Sequence, residues 1–125
     1  MPDNVRTTFA PPKMSTEDFH ALTLVPVIGD QMSPTLRGGW DYVLALPVRA
    51  YQGDGLYVVA DQIDQPLIWK CQFNPLSGGI DMRCDNPAYR GDTVDRDWFD
   101  SNVVGIVVSD LKVRRHDLIA GREAA

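Results

Sequence analysis

A single lysine is the residue of this sequence best suited to base chemistry. Lys70 is one of three lysines, and it lies between Trp69 and Cys71 in a strand-like stretch. On a strand it is either a solvated residue of a polar face or a base kept neutral by partial burial. Burial favours the neutral form because the charged ammonium loses its hydration. The residue pattern alone favours the solvated interpretation.

A glycine-led turn at residues 29–34 is the second stretch to which chemistry could be assigned. It reads Gly29-Asp30-Gln31-Met32-Ser33-Pro34, and it is either a tight turn or a nucleophile turn, since glycine allows a sharp backbone. Gln31 stands at the apex, and an amide is not a nucleophile under ordinary conditions. Ser33 is better explained as the N-cap of one helical turn that begins at Pro34.

The remaining polar groups indicate no metal and no cofactor. His20 and His116 are isolated from other metal-ligating residues, and the cysteines are interpreted as two buried free thiols. An acidic cluster lacks the glycine and glutamate of a calcium loop, so it is interpreted as a solvated loop with helix caps. Its members are Asp92, Asp95, Asp97 and Asp100.

The elements that must position Lys70 are predicted as a hairpin. Residues 67–73 and 80–84 alternate apolar and polar side chains around the turn sequence NPLSGG. Pairing Phe73 with Ile80 and Cys71 with Met82 places the apolar side chains on one face. Lys70 then lies on the other face. Further strands are predicted over 22–28, broken at Pro26, and over 41–48, 56–60 and 103–109, while 85–94 is predicted as a loop.

Composition sets the class of protein. The chain has 125 residues, a net charge of −5 and two cysteines, which fits one domain without a disulfide framework. An acidic chain is a poor DNA binder, because neutralising phosphates is the main contribution to non-specific binding. No apolar run is long enough to span a membrane. We therefore expect a cytoplasmic, mostly β protein with short helical turns, no membrane contact and no direct binding to DNA.

Several motifs in the same order resemble those of the LexA-type self-cleaving domains, which include LexA, UmuD and the C-terminal domains of lambdoid phage repressors. The resemblance rests on residues 29–37 with Gly39 and Asp41, on Trp69-Lys70, on the loop Asp85-Asn86-Pro87-Ala88-Tyr89 and on the strand 103–108. It covers about residues 25–112, leaving 1–24 as an extended arm and 113–125 as a C-terminal extension. It implies a compact β fold like that of signal peptidase and a homodimer.

The same resemblance assigns roles to two residues of the site. Lys70 takes the position of the family's general base, so the polar hairpin face would line the old catalytic groove, and Gln31 takes that of its nucleophile serine. The groove would include Gly29, Asp30, Met32, Ser33, Pro34, Asp85, Asn86 and Pro87. Trp40 is an extra residue between Gly39 and Asp41, and no glycine precedes Gly29 to supply the usual cleavage bond.

These departures favour a catalytically inactive LexA-like domain. It would serve as a dimerisation or partner-binding module of a phage or stress-response (SOS) transcriptional regulator, with a second regulatory protein as a further partner. One alternative is a UmuD-like accessory subunit that binds a polymerase or a recombinase filament. Another is an active self-cleaving serine/lysine peptidase that uses a different nucleophile, such as Ser33. The upstream coding sequence would separate the first two, and incubation at alkaline pH would test the third.

Overall fold

The computed structural model describes residues 20–60 and 65–118, and this part of the chain is mostly β. Its strands are all antiparallel and form one sheet in the order β1-β2-β7-β3-β4-β5-β6. The strands are β1 (Thr23–Pro26), β2 (Tyr42–Pro47), β3 (Gly55–Ala60), β4 (Pro66–Phe73), β5 (Ile80–Arg83), β6 (Asp92–Val94) and β7 (Val103–Leu111). One helix, α1 (Arg96–Asn102), precedes β7, and a short 3-10 helix (His116–Leu118) follows it. The predicted mostly β fold class is confirmed.

The β4–β5 hairpin has the predicted register. Phe73 pairs with Ile80 and Cys71 pairs with Met82. The turn between the strands is closed by two backbone hydrogen bonds, from Asn74 N to the Gly79 carbonyl at 2.9 Å and from Gly78 N to the Asn74 carbonyl at 2.8 Å. The alternation of apolar side chains and the turn sequence therefore predict the same register. A shift of one residue would move the apolar side chains from the buried face to the solvent.

The buried side chains form two clusters that share strand β3. Tyr57, Val58 and Val59 of this strand are all buried, and Val58 belongs to a different cluster from its two neighbours. Successive strand residues point to opposite faces, so β3 contributes to a cluster on each side of the sheet. The first cluster comprises Val25, Val27, Met32, Leu36, Val43, Ala45, Val58 and Ile68, and the second Tyr57, Val59, Cys71, Ile80, Met82 and Phe99.

The stretch that was predicted as a loop over 85–94 ends in a strand. Strand β6 pairs with β5, with Val94 opposite Ile80, and three residues with only one apolar side chain give no alternation from which to predict it. Helix α1 was also missed in the sequence. The Asp95 carboxylate accepts the Trp98 amide at 2.7 Å as its N-cap, and Phe99 anchors the helix in the second cluster. The predicted capping role of the acidic cluster is thus confirmed at Asp95.

Strand β7 differs from its prediction in length and in burial. It runs to Leu111 rather than to residue 109, and it lies between β2 and β3. Its apolar run is not buried on both faces, because Val104 and Val108 are 46% and 44% exposed. Both are extra residues at register shifts, Val108 against β2 and Val104 against β3. A bulge breaks the alternation of side chains, which explains the exposure of these two valines.

The predicted arm and extension lie largely outside the described residues. Of the arm over 1–24, residues 1–19 are not described, and β1 begins at Thr23. Of the extension over 113–125, Val113 is buried against the domain. In the described part of the chain, no helix has the length and apolar character to cross a membrane.

Candidate functional site

The glycine-led turn begins the site and is not helical. Gly29 has a positive φ of 73°, Ser33 N donates to the Asp30 carbonyl at 3.1 Å, and Leu36 N donates to the Met32 carbonyl at 2.9 Å. The helical turn capped by Ser33 does not form. Arg37 N would have to donate to Ser33 there, but it donates instead to the Asp41 carboxylate at 2.9 Å. Met32 and Leu36 are buried and anchor the turn in the first cluster.

Asp41 is the buried charge that holds this turn. Its carboxylate accepts hydrogen bonds from Arg37 Nη2 at 2.8 Å and from Arg37 Nε at 3.1 Å, and Lys112 Nζ lies 4.0 Å away. The hydrogen bonds from Arg37 hold the pKa of Asp41 below its ordinary value despite the burial of the carboxyl group. Arg37 also donates to the Val113 carbonyl at 3.1 Å. The buried Asp41 carboxylate therefore joins the turn to the segment after β7. The sequence analysis did not predict this role. The one signal in the sequence was the spacing of four residues between the opposite charges of Arg37 and Asp41.

Trp40, which the resemblance makes an additional residue, lies where the turn stays bonded to the sheet. Gly39 N donates to the Val27 carbonyl and Val27 N donates to the Asp41 carbonyl, both at 2.9 Å. Trp40 stands between these two bonds, half exposed, with the Arg37 guanidinium 5.7 Å from its ring centre. The additional residue is accommodated at the surface.

Hydrogen bonds join the loop 85–89 to the turn. Asn86 N donates to the Gln31 carbonyl and Asn86 Nδ2 donates to the Asp30 carbonyl, both at 2.9 Å. The Tyr89 hydroxyl donates to the Asp30 carboxylate, which raises the pKa of Tyr89. The side chain of Asn86 also orders its own loop by accepting the Ala88 amide at 3.0 Å. Pro87 lies in this loop and is exposed.

Lys70 lies beside the same loop, where it is well hydrated. Its Nζ is 3.7 Å from Asp85 Oδ1, and its side chain is 63% exposed. The residue keeps most of its water, so the burial that a neutral lysine base needs is absent. The solvated interpretation of Lys70 therefore describes its surroundings correctly.

Over the residues that the structure describes, no hydrogen bond joins the side chains of Gln31 and Lys70, and the partner of Lys70 is Asp85. The Gln31 side chain lies over the turn instead, since a Cβ placed on Gly29 would be 2.6 Å from Gln31 Oε1. We therefore expect Gln31→Ala to lower the free energy of unfolding by less than the loss of a buried hydrogen bond would.

The thiols offer no replacement nucleophile. Both cysteines are free; Cys71 is buried, as predicted, but Cys84 is only partly buried. Burial raises the pKa of Cys71 to about 12 and also raises that of Cys84. Thiols in such surroundings are protonated at neutral pH, whereas the thiolate is the reactive species. Within residues 20–60 and 65–118, no three His, Cys, Asp or Glu side chains converge as a metal site.

The structure thus brings together the three segments that the sequence singled out: the turn 29–34, Lys70 and the loop 85–89. Hydrogen bonds join the turn to the loop, and an ion pair joins Lys70 to the loop. Comparison with known proteins adds no identity, since no protein-family model matches the chain and no curated protein matches it.

Proposed function

We propose that this chain is a non-cleaving relative of the LexA-type domains. It acts as a cytoplasmic dimerisation and partner-binding module of a phage or stress-response transcriptional regulator, and it does not bind DNA itself. The proposal is supported by the order of the motifs in the sequence and by the mostly β fold. The contacts of the turn with the loop also fit a groove inherited from a peptidase.

One observation carries the proposal: an amide occupies the apex of the turn where a peptidase of this type needs a hydroxyl. The Gln31 carbonyl is bound by Asn86, the residue next to the partner of Lys70. A glutamine side chain cannot attack a peptide bond and leave a covalent acyl-enzyme, as serine does. The turn and the loop are joined by hydrogen bonds, which supports a binding role for this surface.

Self-cleavage provides the direct test. We expect the full chain to stay intact at about pH 10, because no apical hydroxyl is present to be activated. Intact-mass spectrometry after incubation is the measurement. A ladder of discrete fragments would refute the proposal, and loss of that ladder in Ser33→Ala would assign the activity to the alternative peptidase.

Gln31→Ser is the matched variant for this test. Restoring the hydroxyl should not restore self-cleavage, because Lys70 is hydrated and paired with Asp85. Rapid cleavage of Gln31→Ser would show that only the nucleophile had been lost. The thermal unfolding midpoint of Gln31→Ser is compared with that of the wild type. Equal midpoints would show that the variant is folded, so that a change in cleavage reflects the chemistry of the site.

A further inference from the structure

Two hydrogen bonds show which backbone groups of the β4–β5 hairpin face which neighbour. Asn74 N donates to the Gly79 carbonyl at 2.9 Å, on the side of β5. Phe73 N donates to the Asp54 carboxylate at 3.1 Å, on the side of β3. The bonded direction alternates along an antiparallel strand, so the odd residues of β5 face β4. The even residues of β5 therefore direct their backbone groups at β6.

The middle residue of strand β6 directs its backbone groups away from the sheet. The two end residues of this strand, Asp92 and Val94, lie opposite even residues of β5. Their backbone groups consequently bond to β5, and those of Thr93 between them point outward. Strand β6 is the last strand of the sheet, so the Thr93 amide lies on an outer edge.

The side chain of the preceding residue closes this outward amide. Thr93 N donates to Asp92 Oδ1 at 2.8 Å, and both residues are exposed. An added strand would have to displace this bond and bring its own carbonyl oxygen close to a carboxylate charge. The donor that strand addition needs at this edge is therefore already occupied.

The opposite edge of the sheet, strand β1, lacks a donor for a different reason. Val27 N donates to the Asp41 carbonyl at 2.9 Å just after β1 ends, so odd residues of this segment face β2. Leu24 and Pro26 consequently face outward, and both are exposed. Proline has no N–H. One of the two outward residues of β1 thus cannot donate to an added strand.

We propose that Asp92 and Pro26 close the two edges of the sheet to strand addition, so that copies of this chain do not join edge to edge. Within residues 20–60 and 65–118, β1 and β6 pair with one neighbour each and not with one another. Unpaired edges are where sheets of separate molecules commonly join. The proposal concerns the edges alone and does not depend on the proposed function.

Asp92→Ala tests the edge at β6, and Asp92→Asn is its matched control, because an amide oxygen can still accept the Thr93 amide. Exchange of the Thr93 amide, measured by NMR relative to its intrinsic rate, should rise at least about tenfold in Asp92→Ala. It should stay near the wild-type value in Asp92→Asn. Equal exchange in the wild type and Asp92→Ala would overturn the closure of β6.

Association of the same chains is measured by sedimentation velocity across a concentration series. Asp92→Ala should associate at least about tenfold more tightly than the wild type, and Asp92→Asn should not. An equal gain in both variants would assign the effect to the lost charge and contradict closure by the hydrogen bond. The wild type is the baseline throughout, so the proposed homodimer can fail without changing this comparison.

Pro26→Val tests the edge at β1 by restoring the missing N–H. Thr23→Val is the matched control, because it introduces the same side chain at a residue whose backbone already faces β2. Only Pro26→Val should gain association of at least about tenfold, and the Leu24 amide should become protected from exchange as its concentration rises. Association without protection at Leu24 would show contact between side chains and count against the proposal.

Folding of the variants is checked by their unfolding midpoints. The side chains of Asp92 and Pro26 are exposed, so the midpoints should match that of the wild type. Pro26→Ala restores the same N–H with a smaller side chain and replaces Pro26→Val if the valine lowers the midpoint. Equal association of the wild type, Asp92→Ala and the folded Pro26 variant would refute the proposal.

Discussion

At the scale of single residues, Asp41 is the side chain on which the site most depends. It is buried, and the Arg37 backbone and guanidinium both donate to it. We expect Asp41→Ala to lower the free energy of unfolding by about 2–3 kcal/mol, because several hydrogen bonds to a buried carboxylate are lost. Urea unfolding measures the change. Asp117→Ala is the control, since its ion pair with Arg115 is exposed and its loss should leave stability nearly unchanged.

The Asp41 carboxylate makes the free energy of unfolding depend on pH. The pKa of Asp41 is lowered in the folded state, so the unfolded chain binds a proton more readily and acid favours unfolding. The stabilisation is complete above about pH 4, the ordinary range of an aspartate, and is lost as pH falls through the folded pKa. Asp41→Asn should flatten this acid limb without abolishing it, because the pKa values of Asp54 and Asp81 are lowered as well. An unchanged acid limb would contradict the assignment.

Among the elements, the close approach of two backbones decides the shape of the glycine-led turn. A Cβ on Gly38 would lie 1.7 Å from the Gly29 carbonyl oxygen, and a backbone atom cannot move aside as a flexible side chain can. Gly38→Ala should therefore destabilise the fold by about 1–3 kcal/mol or more. Gly55→Ala is the matched control, because its added Cβ meets nothing within 4 Å and it lies in a strand. Chemical denaturation compares them, and equal values would refute the proposed constraint.

The elements also show what could be predicted from the sequence and what could not. The register of the β4–β5 hairpin was predictable because Cys71, Met82 and their neighbours alternate around an unmistakable turn. Strand β6 and the order of the sheet depend on pairing between distant segments, which no local pattern encodes. At the site, the segments were found through motif resemblance, whereas the exposure of Lys70 followed from strand alternation alone. The burial of Asp41 could not be foreseen, since a charge at a strand end is usually solvated.

At the scale of the whole molecule, the proposed homodimer has a specific consequence for strand β7. Val104 and Val108 are exposed at its two bulges, and covering them in a dimer would remove apolar surface from water. The double change Val104→Ser and Val108→Ser should shift light-scattering mass from dimer to monomer at tens of micromolar, while circular dichroism stays unchanged. A wild-type chain that is itself monomeric under these conditions would refute the dimer.

Side chains cover strand β3 on both of its faces, and this affects how the domain unfolds. Since Val58 completes one cluster while Tyr57 and Val59 complete the other, neither side of the sheet can lose its packing without exposing the strand that the other side needs. Melting should therefore proceed as one cooperative transition. The calorimetric and van't Hoff enthalpies should agree, and the backbone amides of β3 should exchange with solvent only when the whole domain opens.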